Sequence, residues 1–261
     1  MPDSANTWRQ RDTSPASRSD LYDRGVKLHY RQWGSGERVA VLLHGRMADS
    51  GCWWQVGPAL ADRGYRVIAV DLLGHGRSPR SEHADVESFV ASLLESVPEE
   101  PALAMGHSMG GTILAAAVER LRPQRAVYID VPFASDRRRP VDRVALTAEL
   151  SADKAARTLE TIEAKRSWWS RPDMLAEVES ARLWDVPTMV SLSASAAGHD
   201  YTPTTAIPSL MVRAEPSRFV SAQYAAQLEA LGFEVRSVAG AGHSVWYGYF
   251  GQFMAALEGW I

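Results

Sequence analysis

The amino-acid sequence predicts an α/β fold: a mostly parallel, doubly wound sheet flanked by helices, with a small helical lid inserted in it. Three observations lead there. Short, continuously apolar runs such as residues 39–43 (Val-Ala-Val-Leu-Leu) and 67–70 (Val-Ile-Ala-Val) suit parallel strands covered on both faces. Between such runs, apolar residues recur at helical spacing. From about Phe133 to Ile207 the alternation stops, and helical patterns continue without strands.

In chain order, residues 26–33 alternate apolar and polar in part and end at Gly34-Ser35-Gly36, the pattern of an edge strand and a turn. Further strands are expected at 39–43, 67–70, 102–105, 126–130, 209–213 and 234–238. Val86, Phe89, Val90, Leu93, Leu94 and Val97 share one helical face that Pro98 ends; Ile113, Leu114, Ala117, Val118 and Leu121 form a second, closed by Pro123. Tyr224, Leu228 and Leu231 mark a third. In the inserted stretch, Ala155, Leu159 and Ile162 form one helical pattern, and Met174, Val178 and Ala181 another. The expected organisation is a polar, flexible leader at 1–20, a core made of 21–132 and 208–261, and a lid at 133–207.

A chain of 261 residues is long enough to bury one large core, and 46% hydrophobic with 23% charged residues is ordinary for a globular domain. No apolar run is long enough to cross a bilayer, and the leader lacks the apolar centre of a secretory signal, so the expected location is cytoplasmic. The single cysteine, Cys52, excludes an intrachain disulfide and a zinc site built on several cysteines, which leaves it a packing role. A net charge of -3 from 28 basic and 31 acidic residues, intermixed, carries no nucleic-acid footprint. The one charge run, Arg137-Arg138-Arg139, reads as a solvated loop. The expected partner is a small-molecule substrate, with neither nucleic acid nor membrane; the oligomeric state is not specified.

The strongest chemical signal is Gly106-His107-Ser108-Met109-Gly110-Gly111, a G-x-S-x-G sequence directly after an apolar strand and directly before a periodic helix. Glycines two positions either side of a serine let the backbone turn sharply there, and the helix N-terminus favours developing negative charge. Other landmarks occur in order. His44-Gly45 follows one strand, Asp71-Leu72-Leu73-Gly74-His75-Gly76-Arg77-Ser78 the next, and Gly240-Ala241-Gly242-His243 the last. On these residues the chain resembles the α/β-hydrolase fold family over most of its length, the leader and lid excepted. The resemblance implies an oxyanion loop at His44-Gly45, a structural turn at Asp71–Ser78 and a catalytic histidine loop before His243.

Serine is a poor nucleophile until a base takes its proton, and imidazole titrates in the useful range. Of seven histidines, His29 lies in the edge strand, His44, His75 and His107 in turns of the motifs, and His83 and His199 in loops. His243 alone follows the predicted final strand in a glycine-rich loop, where the order serine, acid, histidine requires the base. The family usually supplies the acid after the strand at 209–213, where this chain reads Arg213-Ala214-Glu215-Pro216-Ser217 and the usual position holds Ser217. Other members place it after the preceding strand, where Asp130 stands. Asp130 is the favoured acid and Glu215 the alternative.

The resemblance assigns the oxyanion donors to the backbone N–H groups of Arg46 and Met109. The Arg46 guanidinium is a candidate for recognising a carboxylate or phosphate, with an ion pair to Asp49 as the ordinary alternative. Nine tryptophans are many for this length. Trp168, Trp169, Trp184 and Trp246 are candidates for an aromatic substrate pocket, with helix packing as the alternative. No Walker loop, dinucleotide fingerprint or H-E-x-x-H occurs, so no cofactor and no metal are expected.

The expected function is hydrolysis of an ester, lactone or thioester of a medium-sized lipophilic or aromatic substrate through an acyl-enzyme. Two alternatives stay open: an acyl transferase or cyclase on the same residues, and a slow-turnover, receptor-like binding protein, which the Ser217 departure keeps in play.

Overall fold

The structure, a computed structural model, describes residues 26–134 and 141–261. The expected leader at 1–20 and the Arg137-Arg138-Arg139 run lie outside the described residues. Among the described residues, seven strands form one sheet: β1 (Tyr30–Trp33), β2 (Arg38–Leu43), β3 (Tyr65–Val70), β4 (Leu103–His107), β5 (Ala126–Ile129), β6 (Ser209–Glu215) and β7 (Glu234–Ala239), in the order β1-β3-β2-β4-β5-β6-β7. Only β1 is antiparallel, paired with β3 at the edge; the remaining neighbours are parallel.

The apolar runs become central strands because both of their faces are covered. Alternate side chains enter two separate cores: Val41, Leu43, Ile68, Val70, Tyr128 and Met211 on one face, Ala40, Leu42, Val67, Val127, Ile129 and Val212 on the other. A one-residue slip would exchange the two sets. Each fully buried Val, Leu or Ile contributes about 1.5–3 kcal/mol relative to exposure, so the register is strongly specified.

The helices outside the inserted stretch are α1 (Val56–Ala61), α2 (Val86–Ser96), α3 (Met109–Leu121), α8 (Ala222–Ala230) and α9 (Phe250–Ala255). A capping box starts α2: the Asp85 carboxylate accepts from the Ser88 N–H at 2.8 Å while the Ser88 hydroxyl reaches back to the Asp85 N–H. The two six-residue helices α1 and α9 carry no sequence expectation, because so short a segment shows less than two turns of periodicity.

Among the described residues, four helices lie between β5 and β6: α4 (Arg143–Ala155), α5 (Leu159–Lys165), α6 (Arg171–Leu183) and α7 (Val186–Ala196). The expected single pattern through Ala155, Leu159 and Ile162 is in fact two helices. Thr158 breaks it by capping α5, its hydroxyl paired with Thr161. Leu146, Leu150 and Met189 of this insertion join the core on one sheet face, and Ile162, Met174 and Val178 join the other. The insertion thus contributes to the cores on both faces of the sheet. No helix among the described residues is long and apolar enough to cross a membrane.

Candidate active site

Ser108 stands where β4, the middle strand, passes into α3. Its backbone has φ +50° and ψ -120°, a conformation that costs a non-glycine residue about 1–3 kcal/mol. The turn closes because its neighbours lack side chains. A Cβ on Gly106 would stand 2.6 Å from the Gly111 Cα, and one on Gly110 would stand 2.4 Å from the His44 carbonyl oxygen. The Ser108 N–H donates to the Ile129 carbonyl at 3.0 Å, tying the turn to β5.

Three side chains meet at this point. His243 Nε2 is 2.8 Å from Ser108 Oγ, and His243 Nδ1 is 2.7 Å from Asp130 Oδ2. A carboxylate only accepts, so Nδ1 carries the proton; in the neutral ring the Nε2 lone pair then faces the serine hydroxyl. Asp130, 1% exposed, follows β5 with φ +49°, and its N–H donates to the Val212 carbonyl at 2.8 Å. Its second carboxylate oxygen accepts from the Ala214 N–H at 3.3 Å. Glu215 turns elsewhere: its carboxylate pairs with Arg213 at 2.6 Å with its side chain 50% exposed. Ser217 caps the following turn, accepting from the N–H groups of Phe219 and Val220. Sequence reasoning missed Phe219, whose ring lies 4.1 Å from that of His243, because an aromatic in an irregular loop has no periodic signature.

Met109 opens α3, so its N–H has no acceptor within the helix. A Cβ on Gly45 would lie 3.4 Å from the Ser108 Cβ, so the Gly45–Arg46 backbone passes directly beside the serine. The Arg46 carbonyl contacts His75 Nε2 at 2.6 Å, and His75 Nδ1 lies 2.8 Å from the Leu73 carbonyl. Burial, with the neighbouring His44 behind it, holds His75 down at about 3. The Arg46 guanidinium lies near the insertion: burial, then the charges of Arg166 and Arg46, lower Arg157, which pairs with Glu177, to about 10. The Asp49 carboxylate accepts from the Gly51 N–H at 2.7 Å.

The turn that follows β3 is organised around one carboxylate. Asp71 accepts from His29 Nδ1 at 2.8 Å, the Arg77 N–H at 3.0 Å and the Ser50 N–H at 2.8 Å. Burial alone would raise its pKa, but these donors outweigh it and hold the carboxyl below the usual range. A depressed carboxylate pKa stabilises the fold fully above the unfolded value of about 3.9, and that contribution is lost as pH falls through the folded value. Asp71→Asn is therefore expected to lose about 2–4 kcal/mol at neutral pH, measured by urea unfolding. The gap to wild type should narrow as the pH falls below about 3.9; a gap independent of pH would show that the charge is not what stabilises.

The four tryptophans do not form one wall. Trp246 is buried against Trp53, with ring centroids 4.5 Å apart, and donates from Nε1 to the Cys52 carbonyl at 3.0 Å. Cys52 is itself buried there, in the packing role expected of it. Trp184 is buried in the core on the opposite sheet face. Trp169 is buried beneath the Arg166 guanidinium, 4.4 Å above its ring, and meets Tyr247 at 4.7 Å; Trp168 is half-exposed. A cavity of 670 Å³ between His83, α4 and α7 is lined by none of these tryptophans, nor by Ser108, Asp130 or His243.

Comparison with known proteins agrees with this architecture. The chain is 36% identical over 109 residues to the dihydrolipoyllysine-residue acetyltransferase component of an acetoin cleaving system from Cupriavidus necator, covering 40% of this chain and 29% of that protein. It is 37% identical over 100 residues to non-heme chloroperoxidase CPO-A1 from Kitasatospora aureofaciens (37% and 36% covered), and 34% over 96 residues to methylesterase 1 of Arabidopsis thaliana (34% and 36%). The matched stretches thus span only about a third of these relatives. Among solved structures, a bromoperoxidase from Bacillus anthracis superposes with a TM-score of 0.71 at 22% identity, covering 91% of this chain and 96% of that one. E-2-(acetamidomethylene)succinate hydrolase superposes at 0.69 and 22%, covering 88% and 93%. At that identity, these superpositions speak for the fold. The family model described as the alpha/beta hydrolase family matches residues 40–256, and with this span the chain belongs to the alpha/beta hydrolase family.

Proposed function

We propose that the protein is a cofactor-free serine hydrolase that cleaves a carboxylic ester, lactone or thioester through an acyl-enzyme. The observation that carries this is the unbroken hydrogen-bonded line from Ser108 Oγ through His243 to Asp130. Ser108 attacks the carbonyl as His243 takes its proton; the tetrahedral oxyanion is received by the N–H groups of Arg46 and Met109. His243 then protonates the leaving group and activates water for deacylation, while Asp130 holds the imidazole in its tautomer and stabilises the imidazolium. Relatives named as methylesterases and neighbours named as esterases support a hydrolase of this kind.

The insertion serves as the lid in this proposal. The Asp173 carboxylate of α6 accepts from Trp54 Nε1 at 3.2 Å and from the Gly248 N–H at 3.3 Å, which ties the insertion to the loops after β2 and β7. The exposed Phe219 ring against His243 and the half-exposed Trp168 favour a lipophilic or aromatic substrate of medium size. Acyl transfer to an acceptor other than water, such as an alcohol or amine, is the second reading; a relative named as an acetyltransferase speaks for acyl transfer in general.

The test is p-nitrophenol release from short and medium acyl esters, with pre-steady-state mixing. A burst of product equal to the enzyme concentration, followed by steady turnover, is expected. Turnover that rises steeply with an added alcohol would move the assignment to acyl transfer. Tight ester binding without any burst would overturn the hydrolase reading in favour of a receptor-like protein.

A further inference from the structure

We infer that His107, the residue before the nucleophile, is a positioning residue for His243: its imidazole donates from Nε2 to the His243 carbonyl at 2.9 Å and its ring lies against the His243 ring. The kinetic part of this inference rests on the serine-hydrolase reading; the geometric part does not.

A carbonyl only accepts, so Nε2 of His107 bears the proton and Nδ1 is bare. Nδ1 is buried without a partner and faces the oxyanion loop, where a Cβ on Gly45 would stand 2.6 Å from it. Burial, and after it the proximity of His243, hold the His107 pKa well below the ordinary histidine value, so the ring stays a neutral single-proton donor. The two imidazole centroids are 4.6 Å apart at 49°. Behind His107, Trp246 presents its ring at 5.0 Å and 88°, and Trp246 is itself held by Trp53 and by the Cys52 carbonyl. His107 also ends β4, paired with Ile129 of β5, and is therefore mounted on the middle of the sheet.

This arrangement joins one residue to three elements of the site. It precedes Ser108 in the chain, packs on Gly45 of the oxyanion loop and fastens the backbone of His243, whose loop has glycines at 240 and 242. A base in such a loop keeps its distance to the serine only if its main chain is anchored, and a misplacement of about 1 Å can cost about 100-fold in rate. The sequence alone allowed nothing beyond a turn residue here, because the bond spans 136 positions.

The experiment compares His107→Leu, which removes the donor, with His107→Gln, whose amide nitrogen reaches the Nε2 position, and His107→Asn, whose amide falls short of it. Active sites are titrated with a fluorophosphonate, so that kcat is expressed per competent serine. His107→Leu and His107→Asn are expected to lose about 10–100-fold in kcat with KM changed less than about threefold, and His107→Gln to recover to within about tenfold of wild type. A purely structural role would lower the number of titratable sites and leave kcat per site intact, which would overturn the inference. The second readout needs no turnover: the low-field proton NMR signal of His243 Nδ1–H, expected sharp in wild type and His107→Gln and broadened in His107→Asn. Should wild type cleave no ester while this pattern holds, the serine-hydrolase reading falls and the positioning role stands. An unchanged proton signal in His107→Asn overturns it.

Discussion

Replacing Ser108 by alanine is expected to lower kcat for an activated ester by about 10⁴–10⁶-fold, with binding of the intact ester retained. The size follows from the chemistry that the hydroxyl carries. Without Oγ no acyl-enzyme forms, and His243 Nε2, 2.8 Å from Oγ in the wild type, has nothing to deprotonate but water in an unaligned position. Donors aimed at the oxyanion still act, which leaves a residual rate above that in water. His243→Ala should fall by a similar factor, and the double variant by little more than either alone, since the two residues work as one unit. Steady-state kinetics on p-nitrophenyl esters measures all three; losses that multiply in the double variant would show that serine and histidine act independently. Folding should be little changed in Ser108→Ala, because alanine keeps the Cβ and so bears the same backbone strain at φ +50° as serine.

Asp130→Asn is expected to cost about 10⁴-fold in kcat, while Glu215→Gln stays within about threefold of wild type. The isosteric amide keeps the volume and changes the proton. In the wild type one Asp130 oxygen accepts from the Ala214 N–H and the other from His243 Nδ1–H. An asparagine would turn its carbonyl to the Ala214 N–H and its NH₂ to His243, which forces Nδ1 to accept and moves the ring proton to Nε2. That proton would then point at Ser108, and the ring would no longer serve as its base. Glu215 differs in kind: its side chain is half-exposed and its carboxylate already belongs to Arg213. Parallel kinetics on the two variants decides the matter. An inactive Glu215→Gln beside an active Asp130→Asn would transfer the acid to the loop after β6.

Much of this was open to a reader of the residues, for local reasons. Apolar runs of five or so residues, helical spacing between them and prolines at their ends are properties of neighbours in the chain, and they placed every strand of the sheet to within a few residues. The turn at Ser108 was legible for the same reason: glycines at 106, 110 and 111 are required because backbone passes within 3 Å of where their side chains would be. Short helices such as α1 and α9, and the split between α4 and α5, were not legible, since less than two turns shows no period and a single capping threonine outweighs an apolar pattern.

Contacts between distant segments had to wait for the tertiary structure. The choice between Asp130 and Glu215 as partner of His243 turns on which loop end faces the imidazole across 113 positions of chain, a question of strand order and register. The same holds for Phe219 against His243, for His107 beneath it, and for Trp184 and Trp246 falling on opposite faces of the sheet. Chain-local chemistry pointed to Ser108 and His243 as candidates and placed the strands that carry them, because turns and periodicity are written in adjacent residues. Only the folded sheet decided which side chains surround them, because packing across the sheet is determined by all of its strands together and by no short segment alone.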